Sequence, residues 1–300
     1  MNTSYVKLFL CNINETLING QISDASQSSM PALAYLLPPV RELSAFESLI
    51  FKIKYRFNRF MRRFRLFSCI DKRFVKWGPR VRLQEALSMN FVTQNTTIRI
   101  PRVLDVFTIE GAVYIIQERI KGPVLEDIWH KLSPEEQHSS MLQLKDCLDQ
   151  LRALKPPHPE RVQAVDGSGL IDDRVQRGIW GPFANHDDFH CRCLNHDVLR
   201  AHPDRYPRVQ EALSKVYGKQ YRTVFSHGDL GPHNILWNDG KIVIIDWERS
   251  GWLPEYWDFT RTYIARGYFT SWWKMFEEMV ERYDDELELA DRISEYFETV

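Results

Sequence analysis

No apolar run in this sequence approaches the roughly 20 residues of a membrane-crossing helix, which argues against a helical membrane span. The stretch Leu8-Phe9-Leu10-Cys11 is too short for a secretory h-region. Five cysteines (Cys11, Cys69, Cys147, Cys191 and Cys193) are an odd number in a chain of 300 residues, which argues against a disulfide framework. Neither sign of charge prevails, with 39 Lys and Arg against 40 Asp and Glu, so no global attraction to nucleic acid follows. Internal repeats are lacking, and glycine is absent between Gly20 and Gly78. These absences leave a folded protein of a reducing compartment, the cytoplasm by default, with 44% hydrophobic residues and enough length for one large domain or two lobes.

The balanced charge conceals an uneven distribution. Twelve basic residues lie between Lys52 and Arg82 against Asp71 alone, whereas Asp284 to Val300 is acidic. Such a split ordinarily marks solvated faces. Residues 1–44 are polar and irregular and read as a loosely ordered arm. From Phe46 the apolar residues recur at Leu49, Ile50, Ile53, Phe57, Phe60, Met61 and Phe64. Steps of three and four make this an amphipathic helix with an aromatic stripe and a basic back. The expectation is that the stripe packs on the body of the protein. A basic amphipathic helix can also lie on an anionic membrane surface.

Further on, Phe67 to Trp77 reads as short strands and the segment around Leu83, Leu87 and Phe91 as a helix. "RVLDVFTIEGAVYIIQERIKG" reads as a hairpin turning at Glu110-Gly111. Ser133-Pro134-Glu135-Glu136 opens a long helix ending near Leu154. Residues 170–200 show no clear period, and the chain beyond Pro254 reads as helical. The order is a small, mostly β front part and a larger, mostly helical rear part, changing over between Glu118 and Gly122.

The densest chemistry lies in "FSHGDLGPHNILWNDGKIVIIDWERSG", residues 225–251. Polar side chains set beside buried strands cost free energy unless paired or used. The spacing of His227, Asp229 and Asn234, with Asp246 after the hairpin turn Asn238-Asp239-Gly240, has a direct use. An Asp on a loop can accept the proton of an attacking hydroxyl. An Asn carbonyl and a second Asp, brought together by the hairpin, can hold the Mg²⁺ that bridges β- and γ-phosphates.

"HGDLGPHNIL" with "IIDWE" resembles the aminoglycoside phosphotransferase and choline kinase-like family, and "GWLPEYWDFT" is similar to its fungal members. The resemblance covers roughly Phe74 to Tyr268. It implies an α+β, two-lobed protein-kinase-like fold with a small β-rich N-lobe and a larger helical C-lobe. The expected division is 1–66 for the arm and amphipathic helix, 67–120 for the nucleotide-side lobe, and 121–300 for the lobe with the catalytic loop and acceptor site. It further implies an ATP- and Mg²⁺-dependent kinase with Asp229 as base and Asn234 and Asp246 as metal ligands. Lys76 in "RFVKWG" would contact the phosphates and Glu85 would pair with it. Glu118 and Ile120 would belong to the hinge that holds adenine through its backbone, and Asp258 would brace the catalytic loop.

One part of the pattern departs. Where the family covers the phosphates with a glycine-rich loop, residues 66–72 ("LFSCIDK") would have to serve without glycine. A catalytically silent nucleotide- or ligand-binding scaffold is the alternative this departure keeps open. Asp246 is followed so soon by Pro254-Glu255 that no peptide-docking segment fits between them, which favours a small hydroxylated acceptor. Trp252, Tyr256, Trp257, Trp272 and Trp273 could stack on it, though Trp at helical spacing is more often core, and Glu248 and Glu255 could attract an amine. The cluster His186, Asp187, Asp188, His190, Cys191, Cys193 and His196 lacks the paired knuckles of a zinc site and reads as a substrate loop.

Overall fold

The computed structural model describes residues 40–63, 72–172, 175–192, 194–263 and 270–297. The front part is one four-stranded sheet. Its strands are β1 (Arg41–Glu42), β2 (Arg73–Trp77), β3 (Val103–Ile109) and β4 (Ala112–Glu118), in the order β1-β3-β4-β2. The hairpin between β3 and β4 turns at Glu110 and Gly111, with φ of 53° and 76°. Two successive positive φ values are what a two-residue hairpin turn requires, and the sequence signal at this position is met.

One element here differs from expectation. Arg41 and Glu42, taken with the arm, instead pair in parallel with Phe107 and Thr108 and enter the sheet. In the β2 region the described strand is confined to Arg73–Trp77, and residues 64–71, including most of the expected covering turn, lie outside the described residues.

Helix α1 (Ala45–Arg63) starts with a reciprocal cap, in which Ser44 Oγ accepts from the Glu47 N–H and Glu47 accepts from the Ser44 N–H at 3.0 Å. It leans on the sheet through Phe51, whose ring meets those of Phe107 and Tyr114 edge-on at 5.1 and 5.5 Å. The expected packing face is therefore corrected. Phe46, Leu49 and Ile53 of the stripe are exposed, and the docked side is that of Ser48, Phe51 and Tyr55. Sheet contacts select aromatic side chains that meet other rings, and a count of apolar positions does not report which side has a partner.

Helix α2 (Leu83–Asn95) crosses from the sheet to the rear part, burying Ala86, Leu87, Met89 and Val92. The rear part begins with the single turn α3 (Leu125–Ile128) and the long α4 (Pro134–Ala153). The latter is opened by the Ser133/Glu136 capping box and Pro134 that the sequence indicated. Residues 170–201, without visible period, form a small hairpin, β5 (Leu170–Asp172) and β6 (Gln176–Trp180), and two short helices, α5 (His186–Arg192) and α6 (His196–Ala201). Elements this short carry too few turns for a periodic signal. After α7 (Pro207–Val216) come β7 (Thr223–Ser226), β8 (Ile235–Asn238), β9 (Lys241–Ile244) and β10 (Gly251–Pro254). Helices α8 (Trp257–Thr262), α9 (Thr270–Met279) and α10 (Asp284–Phe297) close the chain. None of the described helices is long and apolar enough to cross a membrane.

One core joins the two parts. Ala86 and Met89 of α2 and Ile115 of β4 are buried together with Leu144 of α4, Phe225, Trp252 and Trp272. Phe91 bridges to Phe225 and Trp252 at ring distances of 5.1 and 5.7 Å. The apolar frame thereby fixes α2 against β7 and β10, the strands that flank the segment carrying most of the site's polar groups.

Candidate active site

Strand β7 delivers the chain into the loop His227-Gly228-Asp229. The loop is held from below by Asp258 of α8, which is buried and accepts the N–H groups of Gly228 at 2.8 Å and His227 at 3.2 Å. Burial pushes the Asp258 carboxyl up, against the pull of His227 and the two N–H donors. Its expected bracing position matches these contacts. His227 accepts the Asp229 N–H on Nδ1 at 3.2 Å, so its proton sits on Nε2 and is donated to the Ile245 carbonyl at 3.0 Å. Burial lowers the His227 pKa and keeps this neutral form. Gly228 has φ of 80°, and a Cβ there would lie 2.4 Å from the Arg249 carbonyl oxygen, so only glycine lets the two segments approach.

From this loop a 3-10 turn (Pro232–Asn234) leads into the hairpin of β8 and β9, which pairs Ile235 with Ile244. The turn at Asp239-Gly240 again has two positive φ values, 50° and 74°. The Ile245 N–H donates to the Asn234 carbonyl at 3.0 Å, which brings Asp246 back beside Asn234. Asp246 itself has φ of 66°. The left-handed region costs a non-glycine residue about 1–2 kcal/mol, and here it ends the strand and turns the carboxylate out of the hairpin. Asn234 is buried and donates through Nδ2 to the Asp229 carbonyl at 2.9 Å and carboxylate at 3.3 Å. That orientation gives the amide oxygen to the opposite side.

Lys76 of β2 reaches across to this hairpin. Its Nζ lies 2.9 Å from Glu85 of α2, 2.6 Å from Asp246 and 3.3 Å from Glu248. Burial alone would lower the Lys76 pKa, but the three carboxylates outweigh it and hold the ammonium above its ordinary range. Glu85 is nearly fully buried, and burial pushes its carboxyl up to about 7 against the opposing pull of Lys76. Its Oε2 has no hydrogen-bond partner, which accounts for the penalty. The 2.9 Å contact to the Lys76 ammonium opposes that shift and favours the charged form. The carboxylates of Glu85, Asp246 and Glu248 lie within 4.8 Å of one another, the arrangement among the described residues that could hold a cation. Oxygen donors of this kind suit a hard divalent ion.

Residues separated in sequence by as many as 170 positions thus converge in a polar seam of two groups. Lys76 pairs with Glu85 and Asp246, Asn234 donates to Asp229, and the backbone bond from Ile245 to Asn234 sets the two side by side. Glu118 and Ile120 lie at the end of β4 and just beyond it. The Glu118 N–H is engaged with the Arg102 carbonyl at 2.8 Å, and its carboxylate pairs with Arg102 at 3.2 Å.

Other expected roles change. Glu248 does not face an acceptor amine but pairs with Lys76, and Glu255 is taken up by Arg222 at 2.6 Å. Trp252, Tyr256, Trp257, Trp272 and Trp273 are all buried in the core, which removes them as a stacking platform. His186 and His190 bond Thr223 and Tyr256, each at 2.8 Å, and belong to packing around α5. A cavity of about 370 Å³ beside Arg152 and Arg222 is lined by none of the seam residues.

Sequence reasoning missed Arg249. Its Nη1 lies 2.6 Å from Asp229 Oδ2, and its Nε lies 3.9 Å from the buried Asp172. Its place three residues after Asp246 does not by itself point to Asp229. Only the close approach of Gly228 to Arg249 makes it a neighbour of Asp229.

Among solved structures, the chain is similar to the gentamicin complex of APH(2″)-IIa, with 14% identity, 76% of each chain covered and a TM-score of 0.45. It is also similar to the amicoumacin kinase hAmiN, with 13% identity, 74% and 72% covered and a TM-score of 0.43. A choline/ethanolamine kinase family protein from Mesorhizobium loti gives 17% identity, 75% and 70% covered and a TM-score of 0.45. No curated protein matches. The family model described as phosphotransferase enzyme family, APH, matches residues 73–296, a span that runs from β2 into α10 and includes Lys76 and the His227-Gly228-Asp229 loop. Resting on that match, the α+β kinase-like architecture has its place, and the chain belongs to the APH phosphotransferase enzyme family.

Proposed function

We propose that this chain is an ATP-dependent O-phosphotransferase that acts on a small hydroxylated molecule, with the fungal type suggested by "GWLPEYWDFT" as part of the same reading. The observation that carries it is the 2.6 Å contact between Lys76 and Asp246, 170 residues apart, inside a seam that also contains Glu85, Asn234 and Asp229. A hairpin with incidental acids has no reason to be met by a half-buried lysine from a different sheet.

In this reading Lys76, steadied by Glu85, donates to phosphate oxygens of ATP. The carbonyl of Glu118 and the N–H of Ile120 hold the adenine edge. The Asp246 carboxylate and the Asn234 amide oxygen would hold Mg²⁺, both being oxygen donors of the kind that ion takes. When bound, the ion neutralises charge on the β- and γ-phosphates. Asp229 accepts the proton of the acceptor hydroxyl as the acceptor oxygen–phosphorus bond forms and the bond to the ADP oxygen breaks. Arg249, 2.6 Å from Oδ2, orients the Asp229 carboxylate. A small acceptor is favoured over a protein because β10 pairs with β7 directly after the metal hairpin, and α8 follows at Trp257. No length of chain is left over to dock a peptide.

Thermal unfolding with ATP, with and without Mg²⁺, tests the nucleotide half of the proposal. Mg·ATP should raise the melting temperature, and Asp246→Ala should abolish the Mg²⁺-dependent part while leaving the apo transition cooperative. Unchanged Mg·ATP binding in Asp246→Ala would sink the metal assignment. A phosphate-transfer screen over hydroxylated amines and sugars tests the other half. Binding of Mg·ATP with no transfer to any acceptor and no ATP turnover would favour the silent scaffold.

A further inference from the structure

Helix α1 turns its more apolar side away from the protein. At about 100° per residue, Phe46, Leu49, Ile50 and Ile53 fall within one stripe about 100° wide, while Ser48, Phe51 and Tyr55 fall on the opposite side. It is the latter group that docks. Ser48 is buried, Phe51 packs edge-on against Phe107 and Tyr114, and Tyr55 lies within 3.5 Å of the Trp77 indole nitrogen. Lys52 adds an ion pair to Glu110 at 3.3 Å. These contacts fix the roll of the helix, so the stripe cannot turn inward. Phe46 is 71% exposed, Leu49 55% and Ile53 58%. Exposed large apolar residues gathered on one face mark an interaction surface, unlike ones scattered singly.

The charge around the stripe selects its partner. Lys54 and Arg56, both exposed, follow the helical spacing to its two edges, one beside Ile50 and the other beside Leu49. Over the whole helix six basic residues stand against Glu47 alone, and Glu47 is engaged in the N-terminal cap with Ser44 and by Arg41. In the sequence the apolar spacing runs on at Phe57, Phe60 and Met61. An apolar stripe bordered on both edges by cations is the pattern of a helix lying in a bilayer interface, with its side chains among the acyl chains and its cations at the headgroups. Two copies meeting stripe to stripe would instead bring their Lys54 and Arg56 rows together, a repulsive arrangement.

We infer that α1 is a docking surface for an anionic phospholipid bilayer, which would hold the protein on a membrane by its N-lobe. The inference is independent of the phosphotransferase reading, because no residue of the seam takes part.

Flotation of the full chain with vesicles tests it, using equal parts phosphatidylcholine and phosphatidylserine against phosphatidylcholine alone. The chain should float with the mixed vesicles, remain unbound with the neutral ones, and be released by raised salt. Leu49→Asp with Ile53→Asp should abolish flotation without changing the melting temperature, since both side chains are exposed. Lys54→Ala with Arg56→Ala should lower the partition coefficient by on the order of tenfold. Failure of the full chain to float with anionic vesicles overturns the inference, as does unchanged flotation of the double Asp variant. A drop in melting temperature for that variant would show that the chain's own residues cover the stripe, and would also overturn it. So would a dimer, in the absence of vesicle binding, that the double Asp variant dissociates.

Discussion

At Asp229 three contacts set what the carboxylate can do. Arg249 and the Asn234 amide both address Oδ2, at 2.6 and 3.3 Å, while Oδ1 faces the His233 ring at 3.7 Å. Oδ2 is thus held by two donors, which fixes how the carboxylate is presented. Asp229→Asn keeps size and shape but removes proton acceptance and the ion pair with Arg249. The transfer rate should fall by roughly 10²- to 10⁴-fold, the range of a positioned general base, with nucleotide affinity nearly unchanged. A loss near the lower end still fits, because the loose phosphoryl-transfer transition state places little demand on the base. Steady-state kinetics with ATP titration check both halves. Wild-type turnover would remove Asp229 from the chemistry, and an equal loss of ATP binding would make it a metal-holding or structural group. This residue was legible in the sequence because its neighbours lie within a single run of the chain. Arg249 was not, because its relation to Asp229 depends on a backbone approach at Gly228 that no spacing rule encodes.

At the scale of elements, the same division holds between local and long-range information. The capping box of α4 and the positive-φ turn of the β3–β4 hairpin are written in adjacent residues, and both were foreseeable. The docking side of α1 was not. Its apolar stripe is real, yet it is Phe51, from another side of the helix, that meets the rings of Phe107 and Tyr114 in a cluster with Leu43, Ile109 and Ile116. Stability measurements can separate the two sides of this helix. Phe51→Ala should cost about 2 kcal/mol, below the 3–5 kcal/mol of a fully buried phenylalanine because the ring is half-buried. Ile53→Ala, on the exposed side, should stay within about 0.5 kcal/mol of wild type. Urea denaturation of the two variants decides the point, and equal losses would mean that the stripe is covered after all. The short elements between Leu170 and Ala201 were unreadable for a different reason, since their positions are set by burial against β10, α7 and α8 rather than by their own period.

At the scale of the whole molecule, acid stability should be governed by the histidines buried around α5 and α6. His190 and His196 stack at 5.0 Å, His190 bonds the Tyr256 hydroxyl, and His186 bonds Thr223. Burial, helped by the neighbouring His196 and His186, lowers the His190 pKa from 6.5 to about 3. Burial lowers His196 to about 4 against the opposing pull of Asp197, and lowers His186 against Asp187 and Glu255. A histidine whose pKa falls on folding is neutral in the native state and more readily protonated in the unfolded one. Its stabilising contribution is complete above the unfolded value of 6.5 and is lost as pH falls toward about 4 for His196 and about 3 for His190. At about pH 5 each of these two should have lost about 2 kcal/mol. Glu85 opposes the trend. Its raised pKa means that the folded state holds the extra proton, so its penalty is absent below 4.5 and complete above about 7. Overall stability therefore mixes slopes of both signs, and a wild-type curve alone would not identify the histidines. The difference between wild type and His196→Phe would. That substitution changes the level of stability through packing, but it also removes one titrating group, so unfolding between about pH 6 and pH 4.5 should take up about one proton fewer. Melting curves across that range give the slope directly. Parallel curves for the two proteins would mean that His196 titrates alike in the folded and unfolded chain, and that its burial does not control the acid limit of the fold.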